Sequence, residues 1–169
     1  MRDVLTRFAA GTALGLLVLT ASHPAWAERL PLHMVPKPVL DAVAARFNNA
    51  RIASADKDRG HQGFVYEVTI RHEGKNVDVT VTPEGVILLI KREIAAADLP
   101  APITRALETT YPKATYEAVE AVTTVNGHQE TLAYYEVDLV TAQRKLVEVR
   151  VSPDGRILKL GALDGGPPR

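Results

Sequence analysis

Twice along the chain, a stretch with apolar residues at every fourth position gives way to stretches in which apolar and polar residues alternate. Val39, Val43 and Phe47 form the first spaced set, and Ile103, Leu107 and Tyr111 the second. Spacing near four gathers each set on one side of a helix, and each predicts a short amphipathic helix of roughly 10 to 12 residues. Pro36 and Pro38 precede or open the first helix, as Pro100 and Pro102 do the second. Proline suits a first turn, whose N–H groups have no partner inside the helix. Pro112 disfavours helical geometry at Tyr111, so the second helix is expected to end there.

After each helix the period falls to two. Tyr66, Val68 and Ile70 alternate with Glu67 and Thr69, and Val77, Val79 and Val81 with Asp78 and Thr80. Further on, Tyr135, Val137 and Leu139 alternate with Glu136 and Asp138, and Val147, Val149 and Val151 with Glu148 and Arg150. One apolar and one polar face predict antiparallel strands packed on one side. Each set leads into a tight turn, Thr82-Pro83-Glu84-Gly85 or Ser152-Pro153-Asp154-Gly155. Proline at the second position of a type I turn and glycine where positive φ is needed give both the same hairpin chemistry. The strands after the turns are VILLI and RILKL, and weaker strands are expected near residues 50–56 and 114–122.

These echoes amount to an internal repeat. VTVTPEGVIL falls on VRVSPDGRIL at an offset of 70, YEVTI on YEVDL at 69, and residues 35–50 on 99–114 at 64. The growing offset places insertions between elements, where loops tolerate them. The predicted fold is α+β: two tandem repeats, residues 28–98 and 99–162, each a helix followed by an antiparallel meander of about four strands. The helices are expected on one face. A single shared sheet is preferred, because it removes an exposed edge from each copy.

Residues 1–27 are excluded from this fold. Arg2 and Arg7 flank the start of an apolar run, residues 8–21, and Ala25-Trp26-Ala27 forms a small-x-small cleavage site. The run is shorter than the roughly 20 residues that cross a bilayer core, so the segment reads as a secretory signal cleaved before Glu28. A periplasmic location without membrane attachment is expected after cleavage. Residues 163–169 are expected to form a flexible tail.

The pattern of residues 35–160 resembles the PepSY and PepSY-like domains and the related tandem-repeat β-lactamase inhibitory proteins. The resemblance rests on TYPKAT at the helix end, on YYEVDL and on the hairpin EVRVSPDGRILKL; the first copy departs from it with RFNNAR. It implies a secreted or periplasmic module without catalytic residues that modulates enzymes by protein contact. In the inhibitory proteins, tandem copies build a concave sheet that clasps the target.

Composition and motifs narrow the chemistry. Losing residues 1–27 removes two arginines and one aspartate, leaving 18 basic against 19 acidic residues. A near-neutral, mixed surface gives no footprint for nucleic acid. The chain has no cysteine, which excludes disulfides, thiol nucleophiles and thiolate metal sites. His33, His61, His72 and His128 are scattered, with no zinc-protease or serine-elbow spacing. Asp56, Asp58 and Glu67 fall at positions 1, 3 and 12 of a calcium-type loop, but Gly60 and His61 misplace its fifth and sixth positions. The stretch is read as a charged hairpin loop. No catalytic residue, metal or cofactor is expected.

The polar sheet face remains as the candidate site. Glu67 and Asp78 in the first copy, with Thr69 and Thr80, are expected to stand outward beside Tyr134, Glu136, Asp138, Glu148 and Arg150 of the second. Tyrosine and arginine among carboxylates suit a protein-binding surface. The expected function is non-catalytic binding, and inhibition or modulation, of an envelope protein or peptidase. The alternative is a small-ligand or cation-responsive envelope sensor. Oligomeric state is not specified by these features.

Overall fold

The computed structural model describes residues 28–60 and 63–162. Its architecture is one antiparallel sheet of nine strands in sequential order, with two helices. Strands β1 (Glu28–Arg29) and β2 (Arg51–Gly60) flank helix α1 (Lys37–Arg46), and β3 (Gly63–His72), β4 (Lys75–Val81) and β5 (Ile87–Glu93) follow. Helix α2 (Ala101–Thr110) leads into β6 (Thr115–Asn126), β7 (Gln129–Val140), β8 (Leu146–Val151) and β9 (Ile157–Ala162). Strands β5 and β6 pair directly, so a single sheet runs through the molecule. None of the described helices is long and apolar enough to cross a membrane.

Each helix buries the stripe its spacing predicts. Val39, Val43 and Phe47 pack with Tyr66, Val68 and Ile70 of β3, Val77, Val79 and Val81 of β4, and Ile90 of β5. Ile103 and Leu107 pack with Val119 of β6, with Tyr135, Val137 and Leu139 of β7, and with Val149 and Val151 of β8. Tyr111 closes the second cluster as a partly buried residue. Ile90 pairs in register with Thr123, which shares the alternation of Val119. Both helices therefore cover the same face of the sheet.

The two proline-glycine turns also seat the helices. Gly85 and Gly155 have φ near +88° and +89°. A Cβ on Gly85 would lie 2.6 Å from the carbonyl oxygen of Pro38, and one on Gly155 would lie 2.7 Å from that of Pro102. Positive φ and this close approach both require glycine. Each turn thus packs its backbone on the first turn of the helix in its own half.

Two expectations change. Asp56–Gly60 is not a hairpin loop but the end of β2, paired through Gly60 with β3. Its charged sequence masks a strand whose Lys57 and Arg59 lie 4.2 and 5.7 Å from the ring of Phe64, and cation–π attraction compensates for low strand propensity. The strand near 114–122 likewise extends to Asn126. Strand β9 runs to Ala162, where its ladder with β8 ends. Residues 1–27, His61 and the expected 163–169 tail lie outside the described residues. His33 sits in a 3-10 turn, His72 at the end of β3 and His128 in the β6–β7 turn.

Candidate functional site

Alternation places all seven sequence-predicted residues on the face away from the helices. Glu67 on β3 and Asp78 on β4 lie there with Tyr134, Glu136 and Asp138 of β7 and Glu148 and Arg150 of β8. Register arranges them in rows across the strands. One row runs Thr69, Asp78, Lys91, Val122, Tyr134, and the next brings Glu93, Glu120, Glu136 and Arg150 into line. In a third, Asp138 stands opposite Glu148.

Glu136 is the centre of this cluster, and it is buried, with 7 % of its surface exposed. The expectation of an outward-standing carboxylate is corrected by its neighbours. Lys91 donates from Nζ to one carboxylate oxygen at 2.9 Å, and Arg150 donates from Nε to the other at 2.8 Å. Arg150 also bridges to Glu148 at 3.1 Å, and its guanidinium lies 5.4 Å from the Tyr134 ring. Val122, in register between Lys91 and Tyr134, is fully buried. Asp78 accepts a hydrogen bond from Thr69 at 2.6 Å.

The charge states divide the cluster. Burial works against the carboxylate of Glu136, but Lys91 and Arg150 outweigh it and hold its pKa below the usual range. Burial also opposes the charge of Lys91, yet Glu136, Glu67 and Glu120 keep it firmly cationic. Glu120 and Asp138 behave differently. Burial raises Glu120 to about 7, with Asp78, Glu136 and Asp138 adding to the effect against the pull of Lys91. Burial raises Asp138 to about 6, reinforced by Glu148 and Glu136.

A second ion cluster occupies the helix side of the same strands. Arg92 donates to both oxygens of Glu130 at 2.6 and 3.0 Å, and Arg46 at the end of α1 donates to one of them at 2.6 Å. Hydrogen bonds from Arg92, opposed by burial and supported by Arg46, hold Glu130 at about 2. Lys91 and Arg92 are adjacent on β5, so they project to opposite faces, and each reaches across β6 to a glutamate on β7. The join between the two halves is closed on both sides. Lys91, Arg92, Glu120, Glu130 and Arg46 were not singled out by the sequence pattern. The run VILLI obscured the polar end of β5, although the alternation of Glu120 with Val119 was available as a signal.

Among the described residues, no group of three or more His, Asp or Glu side chains is placed to hold a metal ion. The charged pairs are hydrogen-bonded acids and bases without a nucleophile between them. The arrangement suits recognition by charge and contact.

Comparison with known proteins places the fold. A protein of Bacteroides eggerthii, described as a "putative periplasmic" protein, is 14% identical with a TM-score of 0.60, covering 76% of this chain and 88% of its own. A BLIP-like protein of Bacteroides fragilis is 19% identical with a TM-score of 0.56, covering 82% and 91%. A DUF2874 family protein of Bacteroides uniformis is 14% identical with a TM-score of 0.60, covering 76% and 89%. At these identities the likeness is one of fold. None of the curated proteins compared matches the chain. One family model matches twice in succession, over residues 25–89 and 88–159, and the chain therefore belongs to the PepSY-like family, described as "Putative beta-lactamase-inhibitor-like, PepSY-like".

Proposed function

We propose that the chain is an exported, non-catalytic module that binds an envelope protein through its helix-free sheet face and restrains or modulates that partner. In this reading residues 1–27 are a cleaved signal, and residues 28–98 and 99–162 are two copies of one helix-plus-meander unit. The protein works in the periplasm. The observation that carries the reading is the convergence of Tyr134, Arg150, Glu148 and Asp138 around a buried Glu136, on a face that neither helix covers. The inhibitor-like description of the family and the fold shared with the BLIP-like protein of Bacteroides fragilis support it. Tyrosine and arginine on a rigid sheet lose little conformational freedom on binding, which favours them as contact residues.

A photo-crosslinking residue at position 134, on the helix-free face, should trap a discrete envelope protein in intact cells. The same residue at Ala45, exposed on α1, should not. Trapping at position 45 alone, or at neither position, would overturn the reading. Tyr134→Ala with Glu148→Ala should abolish capture while leaving the thermal midpoint nearly unchanged.

A further inference from the structure

Resting on the reading of residues 1–27 as a cleaved signal and of the chain as two copies of one unit, we propose that molecules associate head to tail: residues 159–161 of β9 in one molecule pair with the outer edge of β2, at residues 58–60, in a second. The pattern for this contact is the join inside the chain. There β5 lies along β6 through five register pairs, from Leu89 opposite Thr124 to Glu93 opposite Glu120. The matching place at the start of the sheet holds only two pairs, Glu28 of β1 opposite Lys57 and Arg29 opposite Asp56. An offset of 64 carries these two onto Arg92 opposite Ala121 and Glu93 opposite Glu120, the last pairs of the join. The correspondence continues along the chain. Leu30 donates to the carbonyl of Ala55 at 2.8 Å as Ile94 donates to that of Val119 at 2.9 Å, and a 3-10 turn and a helix follow in both. Strand β1 therefore corresponds to the last two residues of β5. The same offset carries residues 25–27 onto 89–91, and the first family match begins at residue 25 as the second begins at 88. Cleavage before Glu28 takes residues 25–27 away and opens the edge of β2 opposite Asp58, Arg59 and Gly60.

The far edge of the same sheet carries the strand that fits. An offset of 70 places β9 on β5: Ile157 pairs with Val151 across the same register shift by which Ile87 pairs with Val81, and Leu160 and Ala162 pair with Val149 and Val147 as Ile90 and Arg92 do with Val79 and Val77. Among the described residues, β9 has no strand on the side away from β8, whereas the same side of β5 holds β6. Both offsets applied to Leu89–Thr124, Ile90–Thr123 and Lys91–Val122 put Lys159 opposite Gly60, Leu160 opposite Arg59 and Gly161 opposite Asp58. Three pairs from the neighbour's β9 and two from β1 thus restore the five pairs of the join. Ala162 would meet the position of Glu28, so the neighbour's strand leaves the edge there. Lys159 and Asp58 take diagonal register positions and carry opposite charges, and the open backbone groups of two sheet edges gain partners. The positions of Lys91 and Arg92 are taken in β9 by Gly161 and Ala162, so this contact is weaker than the join and depends on concentration. One edge meets a different edge of the next molecule, which makes the association heterologous and open-ended.

Because the chain has no cysteine, a disulfide trap tests the contact. The full chain is exported, purified from the periplasm and its N-terminus read by mass spectrometry. Arg59→Cys and Leu160→Cys are made as separate variants with unchanged melting midpoints, then mixed and oxidised. Opposed residues of an antiparallel pair lie about 4.5–5.5 Å apart at their Cα atoms, within reach of a disulfide. The mixture should form a covalent dimer at least about tenfold faster than Arg59→Cys mixed with Ala45→Cys, whose exposed place on α1 reports random collision. Asp58→Cys mixed with Gly161→Cys, the adjacent pair, should trap as well and gives an independent second reading. Strands β2 and β9 stand roughly 30 Å apart along the sheet at about 4.8 Å per strand, so both cysteines in one chain should give a ladder of dimers, trimers and longer species. Export behind a leader cleaved before Ala25, which keeps Ala25-Trp26-Ala27 ahead of Glu28, should abolish the trap because the chain then fills its own edge. Trapping no faster than the collision control at both pairs overturns the proposal, as does trapping that persists with the retained tripeptide. Equally fast dimerisation of Leu160→Cys alone also overturns it, in favour of β9 pairing with β9. The readings fail separately. An N-terminus at or before Ala25 defeats the cleaved signal and the open edge with it, whereas an N-terminus at Glu28 without trapping defeats the head-to-tail contact alone.

Discussion

The two faces of the sheet solve the same problem at the β5–β6 join with opposite stoichiometry. On the helix side two guanidiniums, Arg46 and Arg92, close on the single carboxylate of Glu130. On the helix-free side two cations, Lys91 and Arg150, contact three carboxylates, Glu136, Glu67 and Glu148, with Glu120 and Asp138 standing beside them. The first arrangement leaves Glu130 with both oxygens bonded, and the strong hydrogen bonds show in its depressed pKa. The second leaves Glu120 and Asp138 with no hydrogen bond among the described residues, and burial beside like charges shows in their raised values. A clasp whose carboxylate is fully bonded reads as structure. A face that keeps unbonded carboxylates beside its ion pairs is consistent with the docking surface proposed above.

Removing a bonded carboxylate and removing an unbonded one should therefore have opposite signs. The largest effect is expected for Glu130→Ala, which leaves two partly buried guanidiniums facing each other. Loss of one partner from a buried pair costs about 3–5 kcal/mol, and partial solvent access here reduces that to about 2 kcal/mol by denaturant unfolding at pH 7. Its acid profile has a definite sign. A pKa of about 2, below the unfolded value, contributes stability that is complete above about pH 4.5 and disappears as pH falls toward 2. Glu130→Gln should flatten that part of the curve; an unchanged slope there would break the contrast between the faces.

Glu136→Ala should cost less, about 1 kcal/mol, despite deeper burial, because Lys91 retains Glu67 and Glu120 as counter-charges. A loss larger than that of Glu130→Ala in parallel melts would show that the surplus does not buffer the cluster. Glu120→Gln should stabilise, by roughly 0.5–1 kcal/mol near pH 7.5. Here the folded pKa, about 7, lies above the unfolded one, so the wild-type carboxyl loses stability as pH rises toward 7 and none below about 4.5. The gain from glutamine should vanish near pH 4, and a gain independent of pH would assign the effect to packing. The smallest change, at most about 0.5 kcal/mol, is expected for Lys37→Ala, whose partner Asp41 lies one turn along α1 with both side chains exposed. That variant calibrates what an ordinary surface pair contributes.

Much of this organisation is legible in the chain, and the unread part has a common cause. Periods of four and two locate α1, α2 and the core strands, and the alternation of Glu136 and Asp138 with Val137 assigns them to the right face. Within each half, tight turns fix the pairing of β3 with β4 and of β8 with β9, so side-chain facing follows from local residues. The pairing of β5 with β6 is different. The chain leaves the sheet at Glu93, passes through α2, and returns at Thr115, so no turn between them specifies register. The hydrogen bonds of Lys91 to Glu136 and of Arg92 to Glu130 form only across that join. This is why the sequence pattern finds the polar face yet misses the pairs that organise it. The charged end of β2 was missed for a simpler reason, since Asp-Lys-Asp-Arg-Gly has loop composition and its strand is held by Phe64 from the neighbouring strand.

Hairpin tips are ordinarily where a protein absorbs added or deleted residues. The seating of Gly85 and Gly155 against a helix carbonyl removes that freedom at two of the tips. Within this chain the effect is visible: both proline-glycine turns keep the same length, from Thr82 to Val86 and from Ser152 to Arg156. The β3–β4 and β7–β8 hairpins differ in length, with a two-residue tip between His72 and Lys75 but a five-residue one between Val140 and Leu146. Length variation in this architecture is thus channelled to one end of the sheet, and sequence grafted onto the molecule has its natural place at the β7–β8 tip.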